Sequence, residues 1–186
     1  MDGDRKMYPL AADHPERVGR LVLVEAVVPG LAAPPPLIMP GAGVDRLFHF
    51  AFNRPGSLNE ELVAGRERLF FGHQFATKAV RPLPGHAIAV HVAALARDRD
   101  ALRASFGPYR AIDETVAQNT RRRGRRLRMP VLTVAGDRSV GDALAESPAP
   151  VVEDLTAVVL PGCGHYPAEE VPEEMLAAVV PFIRQG

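Results

Sequence analysis

The sequence holds a single cysteine, Cys163, and no tryptophan among its 186 residues. One thiol cannot form an internal disulfide, and a Cys-rich metal site is excluded with it. An excess of charge of one sign is also missing, since 22 basic residues meet 22 acidic ones and the formal net charge is zero. A chain so balanced has no global field to draw in nucleic acid or an anionic membrane surface. Long apolar runs are absent too. None approaches the ~18 residues that a spanning helix needs, and the first residues, MDGDRKMYPL, lack the apolar core of a signal peptide. These absences predict a soluble, cytoplasmic globular protein, long enough for one domain with a sizeable core. Punctuation is plentiful, with 18 prolines and 16 glycines that imply many breaks between elements.

RLVLVEAVV, residues 20–28, is short, β-branched and almost wholly apolar, without period-2 alternation. That is the pattern of a parallel strand covered on both faces. It recurs at MPVLTVAGD (129–137) and LTAVVLPGCG (155–164), each ending in glycine. Before the first run, MYPLAADHPERVG reads as the end of a helix and a turn. Between the second and third, VGDALAESPAPVVED reads as a short helix with turns. PEEMLAAVVPFIRQG then sets Met175, Val179 and Phe182 at helical spacing, with acidic residues in the first turn. Strand–helix alternation of this kind predicts an α/β fold with a parallel sheet and right-handed crossovers.

The middle differs. APPPLIMPGAG looks like a stiff linker, and NEELVAGRERLFFGHQFAT, HAIAVHVAALARD and RDALRASFGPYRAIDETVAQNTRRRGRR read as helices. An all-helical insert between two strands of a parallel sheet resembles a lid over the carboxyl ends of the strands, where open α/β sheets keep their ligands. The expected organisation is a core fragment (1–31), a helical lid (32–128) and a C-terminal core (129–186). No internal repeat is visible.

Three polar groups stand out by position. His165 follows the third strand in LPGCGHYPAEEVPEE; Glu25 lies inside an apolar run, where an ionised carboxylate is costly unless paired; Tyr109 lies in SFGPYRAIDE. A carboxylate that orients a histidine is half of a nucleophile–base–acid arrangement. Here the sequence resembles the C-terminal two thirds of an α/β-hydrolase-fold epoxide hydrolase. HPERVGRLVLVEAVVPG is similar to the family's sixth strand and its approach, and FHFAFN, ERLFFGHQFA and ASFGPYRAIDETVAQN to its lid. MPVLTVAGD and LPGCGHYPAEEVPEE are similar to the seventh and eighth strands. The implied reaction has an aspartate attack an epoxide carbon while two lid acids protonate the ring oxygen, and a histidine–carboxylate pair then activates the water that cleaves the ester.

Carried over by position, the resemblance makes His165 the general base. The family's commoner acid position falls on Ser139, which cannot serve; a subgroup with the acid at the end of strand six matches LVEAVVP, which implies Glu25, with Asp137 as the rival. Tyr109, before Arg110, resembles one ring-opening donor, and His49 in LFHFAF resembles the other, as in a bacterial subgroup with a His/Tyr pair. No metal or cofactor is implied; His14 sits in the DHPERV turn, and His73, His86 and His91 have no carboxylates at ligand spacing. The implied substrate is a small, apolar epoxide. RRRGRRLR (121–128) would suggest a nucleic-acid patch on a basic chain; on this neutral one it reads as a solvated surface where the lid rejoins the core.

The resemblance also implies a nucleophile elbow of the form His-Asp-X-Gly. Counting back from Tyr8-Pro9 puts its glycine at Gly3 and its aspartate at Met1. Asp2 and Asp4 do not fit the spacing. The expectation is therefore a chain without strands one to five, inactive alone, that exposes the edge of its first strand. A haloalkane dehalogenase is the nearest enzymatic alternative, but it needs halide-gripping donors, typically a tryptophan after the nucleophile, and that position is Asp2. The other alternative is a non-catalytic interaction module. Oligomeric state is not legible.

Overall fold

A computed structural model describes residues 3–34 and 41–185. Helix α1 (Gly3–Asp13) and a 3-10 turn (Pro15–Arg17) lead into strand β1 (Leu21–Val24). There follow α2 (Gly41–Phe52), α3 (Leu58–Val63), α4 (Glu67–Lys78), α5 (Gly85–Leu95), α6 (Arg99–Arg110) and α7 (Ile112–Arg122). The chain returns through β2 (Val131–Gly136), α8 (Ala143–Glu146), a second 3-10 turn (Ala149–Val151), β3 (Leu155–Leu160), α9 (Pro167–Glu170) and α10 (Pro172–Arg184).

The strands form one parallel sheet in the order β1-β2-β3, with Leu21 opposite Val131 and Val131 opposite Leu155. Alternate side chains leave opposite faces of a strand, and the two faces serve two cores. Leu21, Leu23 and Val131 pack with Tyr8, Ala11 and Ala12 of α1. Leu132, Val134 and Leu160 pack with Val171 and with Phe182 of α10. The fold is thus α/β, with helices on both faces of the sheet.

Several local expectations need correction. The run 20–28 yields a strand of four residues, and Glu25 sits just beyond it rather than inside it, in the left-handed region at φ 57°. Only the central strand β2 is buried along its whole length; β1 is half-buried at alternate positions, and β3 exposes Thr156, Ala157 and Val159. A strand with a neighbour on one side only has less covering it. The single helix expected across NEELVAGRERLFFGHQFAT breaks at Gly65, whose φ of 78° suits a glycine, to give α3 and α4. RDALRASFGPYRAIDETVAQNTRRRGRR likewise divides at Ala111 into α6 and α7. LFHFAF is helical within α2. Most of the expected proline-rich linker, residues 35–40, lies outside the described residues.

The inserted helices have their own apolar cluster: Val63, Phe71, Phe75, Leu83, Leu102 and Phe106, joined by Tyr166 from the loop after β3. The arginine run is only partly the solvated surface expected. Arg122 donates to the Asp13 carboxylate at 2.7 and 3.0 Å, Arg125 bonds the same group, Arg123 donates to the Gly30 carbonyl at 2.9 Å and Arg126 pairs with Glu153. As α7 rejoins the core, its cations meet acceptors at the end of α1 and in the loop after β1.

Candidate active site

The loop beyond β3 is built by close approach. A Cβ on Gly136, at the end of β2, would fall 2.3 Å from the carbonyl oxygens of Cys163 and Gly164; one on Gly164 would fall 2.4 Å from the Lys78 carbonyl oxygen. Only glycine fits either position. The Lys78 carbonyl then accepts the backbone N–H of His165 at 3.0 Å. Glu170 fixes the same corner. Its carboxylate accepts the backbone N–H groups of Val80 (2.8 Å), Arg81, Gly164 and Tyr166 (3.0 Å each), from two segments far apart in sequence. Burial works against the charge of Glu170, yet these four amides hold its carboxyl below the ordinary range.

His165 and Glu25 meet here. His165 Nδ1 donates to Glu25 Oε2 at 2.7 Å, with the Glu25 side chain 5% exposed and the His165 side chain 25%. Glu25 also accepts the Gly136 N–H on Oε1 and the Ser139 hydroxyl on Oε2, each at 2.6 Å. A buried carboxylate with three donors is well compensated. Its left-handed backbone marks a conformation that the surroundings impose. With Nδ1–H given to Glu25, the lone pair of a neutral His165 lies on Nε2, the form a general base requires.

Asp137, the rival acid, accepts the Cys163 N–H at 3.2 Å and lies beside Arg138 in the turn after β2. Ser139, unable to serve as an acid, still belongs to the site, since its hydroxyl bonds Glu25 and lies 3.4 Å from His165 Nδ1. The Cys163 thiol is buried, and burial above all pushes it up to about 12, which disfavours the thiolate.

His49 and Tyr109 come together as well. The His49 ring, buried in α2, stands edge-on to Tyr109 of α6 with centroids 5.5 Å apart. Arg110 anchors the end of α6 by pairing with Glu60 at 2.7 Å and donating to Asn59 at 3.0 Å. Lys78, at the end of α4, donates from Nζ to Gln74 Oε1 at 3.0 Å and lies 3.3 Å from His49 Nε2. Burial lowers its amine from 10.5 to about 8. Sequence reasoning missed Lys78 because a lysine in the last turn of a helix is what the dipole favours. It missed Glu170 because an acidic residue near a helix start is equally ordinary.

Met1 and Asp2 lie outside the described residues, and Gly3 begins α1. Among the described residues no cluster of His, Cys, Asp and Glu could hold a metal ion. His91 instead pairs with Glu169 at 2.8 Å, linking α5 to α9. No described helix is long and apolar enough to cross a membrane.

No protein-family model and no curated protein matches the sequence. Solved structures do match. Cfl2 from Burkholderia cenocepacia shares 34% identity at a TM-score of 0.90, over 98% of this chain and 63% of its own. The Cif epoxide hydrolase from Acinetobacter nosocomialis shares 27% at a TM-score of 0.84, over 98% of this chain and 58% of its own. The epoxide hydrolase CorEH, at 19% identity and a TM-score of 0.81, shares the fold. The chain is thus a partial α/β-hydrolase fold that resembles epoxide hydrolases, spanning about 60% of their length.

Proposed function

We propose that the chain supplies the base, its carboxylate and the ring-opening donors of an epoxide hydrolase acting on a small, apolar epoxide. The inserted helices form the lid, as the expected division at residues 32 and 128 has it. The observation that carries this reading is the 2.7 Å bond between Glu25 and His165. Glu25 orients the imidazole and stabilises the imidazolium that forms when Nε2 takes a proton from water. The activated water cleaves the ester made when an aspartate attacks the epoxide. His49 and Tyr109 donate to the oxygen as the ring opens. By the family's spacing the aspartate falls on Met1, so the chain alone turns nothing over, and hydrolysis needs the segment of its relatives that it does not cover.

The test joins the chain to that segment of the Burkholderia relative and measures diol formation from a small apolar epoxide. Turnover is expected from the joined protein and not from the chain alone. With His165→Ala, intact-mass spectrometry should find the alkyl-enzyme accumulating, and Glu25→Gln should slow turnover on the order of a hundredfold or more. A joined protein without activity, a His165→Ala protein without the ester, or an unimpaired Glu25→Gln variant would each overturn the assignment.

A further inference from the structure

A serine in a turn ordinarily returns its hydroxyl to a nearby backbone group. Ser139 does otherwise. Its N–H closes the turn after β2 on the Gly136 carbonyl at 3.1 Å, while its hydroxyl crosses to Glu25 Oε2 at 2.6 Å, 114 positions away in sequence. Gly136, at the start of the same turn, gives its N–H to the other carboxylate oxygen, Oε1, also at 2.6 Å. One turn thus presents a donor to each oxygen of Glu25. The turn is itself pinned to its surroundings. Arg138 donates its N–H to the Cys163 carbonyl at 3.0 Å, and the Asp137 carboxylate accepts the Cys163 N–H at 3.2 Å, on the loop that carries His165. From α2, Arg46 donates to the Arg138 carbonyl at 2.5 Å.

We propose that Ser139 is a positioning residue for ester hydrolysis: with Gly136 it clamps the Glu25 carboxylate so that Oε2 stays on His165 Nδ1 while Nε2 takes a proton from water. This rests on the epoxide-hydrolase reading above. The last torsion of a glutamate side chain is broad, so placing the backbone of Glu25 does not fix the plane of its carboxylate. An amide on Oε1 and an imidazole on Oε2 leave the group free to turn about the line joining them. A third donor removes that freedom. A hydroxyl has one proton to give. Nδ1 already carries its own proton to Oε2 at 2.7 Å, so the Ser139 proton goes to the carboxylate, and at 3.4 Å from Nδ1 its oxygen turns a lone pair toward the imidazole N–H.

The clamp serves only half of the reaction. Attack of an aspartate on the epoxide carbon uses no base, whereas cleavage of the ester needs the oriented imidazole. Loss of the hydroxyl should therefore slow the second step and spare the first.

The test has two parts. In the chain near neutral pH, ¹H NMR should show a low-field Nδ1–H signal of His165, identified by its loss in His165→Ala. Ser139→Ala should broaden it through faster exchange with water, and Ser139→Thr, which keeps a hydroxyl, should recover it. A signal that is the same in Ser139→Ala, or a threonine variant as broadened as the alanine one, overturns the proposal. In the joined protein, rapid-quench intact-mass measurements on Ser139→Ala should find the alkyl-enzyme forming at the wild-type rate and hydrolysing roughly tenfold more slowly. Unchanged hydrolysis, or both steps slowed alike, also overturns it. Because the spectra need no substrate, failure of the hydrolase reading would appear separately, as absent turnover beside a His165 signal that still depends on Ser139.

Discussion

At the scale of single residues, the site is a contrast between two buried charges. Glu25 has three donors, whereas Lys78 has an amide oxygen and an imidazole. A displacement from 10.5 to about 8 corresponds, at about 1.4 kcal/mol per unit, to roughly 3 kcal/mol of destabilisation at neutral pH. Lys78→Met should therefore raise the folding stability by about 1–3 kcal/mol at pH 7 in urea denaturation. The sign follows from proton binding. Between about 8 and 10.5 the unfolded chain keeps a proton that the folded chain has lost, so wild-type stability rises with pH across that interval. The variant should lack this rise. Glu25 was legible in the sequence as a carboxylate among apolar residues, and His165 as a histidine beyond a strand. Lys78 was not, because its significance lies in what α2 lays against it.

At the scale of elements, the inserted helices are fastened to the core in two places. Where α7 meets α1, the hydrogen bond from Arg122, helped by the charges of Arg122 and Arg125, holds the Asp13 carboxyl below its ordinary range against some burial. A carboxyl lowered in this way stabilises the fold above its ordinary value, about 3.9, and the contribution is lost as the pH falls through the folded value. Asp13→Asn should cost about 1 kcal/mol at pH 7 and nothing in strong acid, read from urea midpoints at the two pH values. At the second place, Gly164→Ala would drive a methyl into the Lys78 carbonyl; about 1–3 kcal/mol of lost stability is expected, with loss of the His165–Glu25 proton signal in NMR. The helices were legible from composition, but their ends were not. Gly65 divides a run whose apolar spacing is continuous, and the arginine run looked solvated because its acceptors, Asp13 and Gly30, are about a hundred residues away in sequence.

At the scale of the whole molecule, the parallel order of the strands followed from the alternation of apolar runs with helices, while the uneven burial of the strands did not, since burial depends on neighbours. β1 has β2 on one side, and among the described residues no strand lies on the other. Unpaired backbone groups along such an edge, beside the half-buried Val22 and Val24, favour association between chains. The chain alone should therefore melt broadly and grow in apparent mass with concentration in light scattering. A sharply melting monomer would contradict this. The four amides around Glu170 bear on how a ligand could enter. Swinging the helical layer away at residues 78–81 would strip an anion of two of its four donors and pull on the His165 loop at once, so that corner behaves as a fixed post. Any opening that admits a molecule has to yield along the far rim, leaving His165 and Glu25 at rest while the entrance moves.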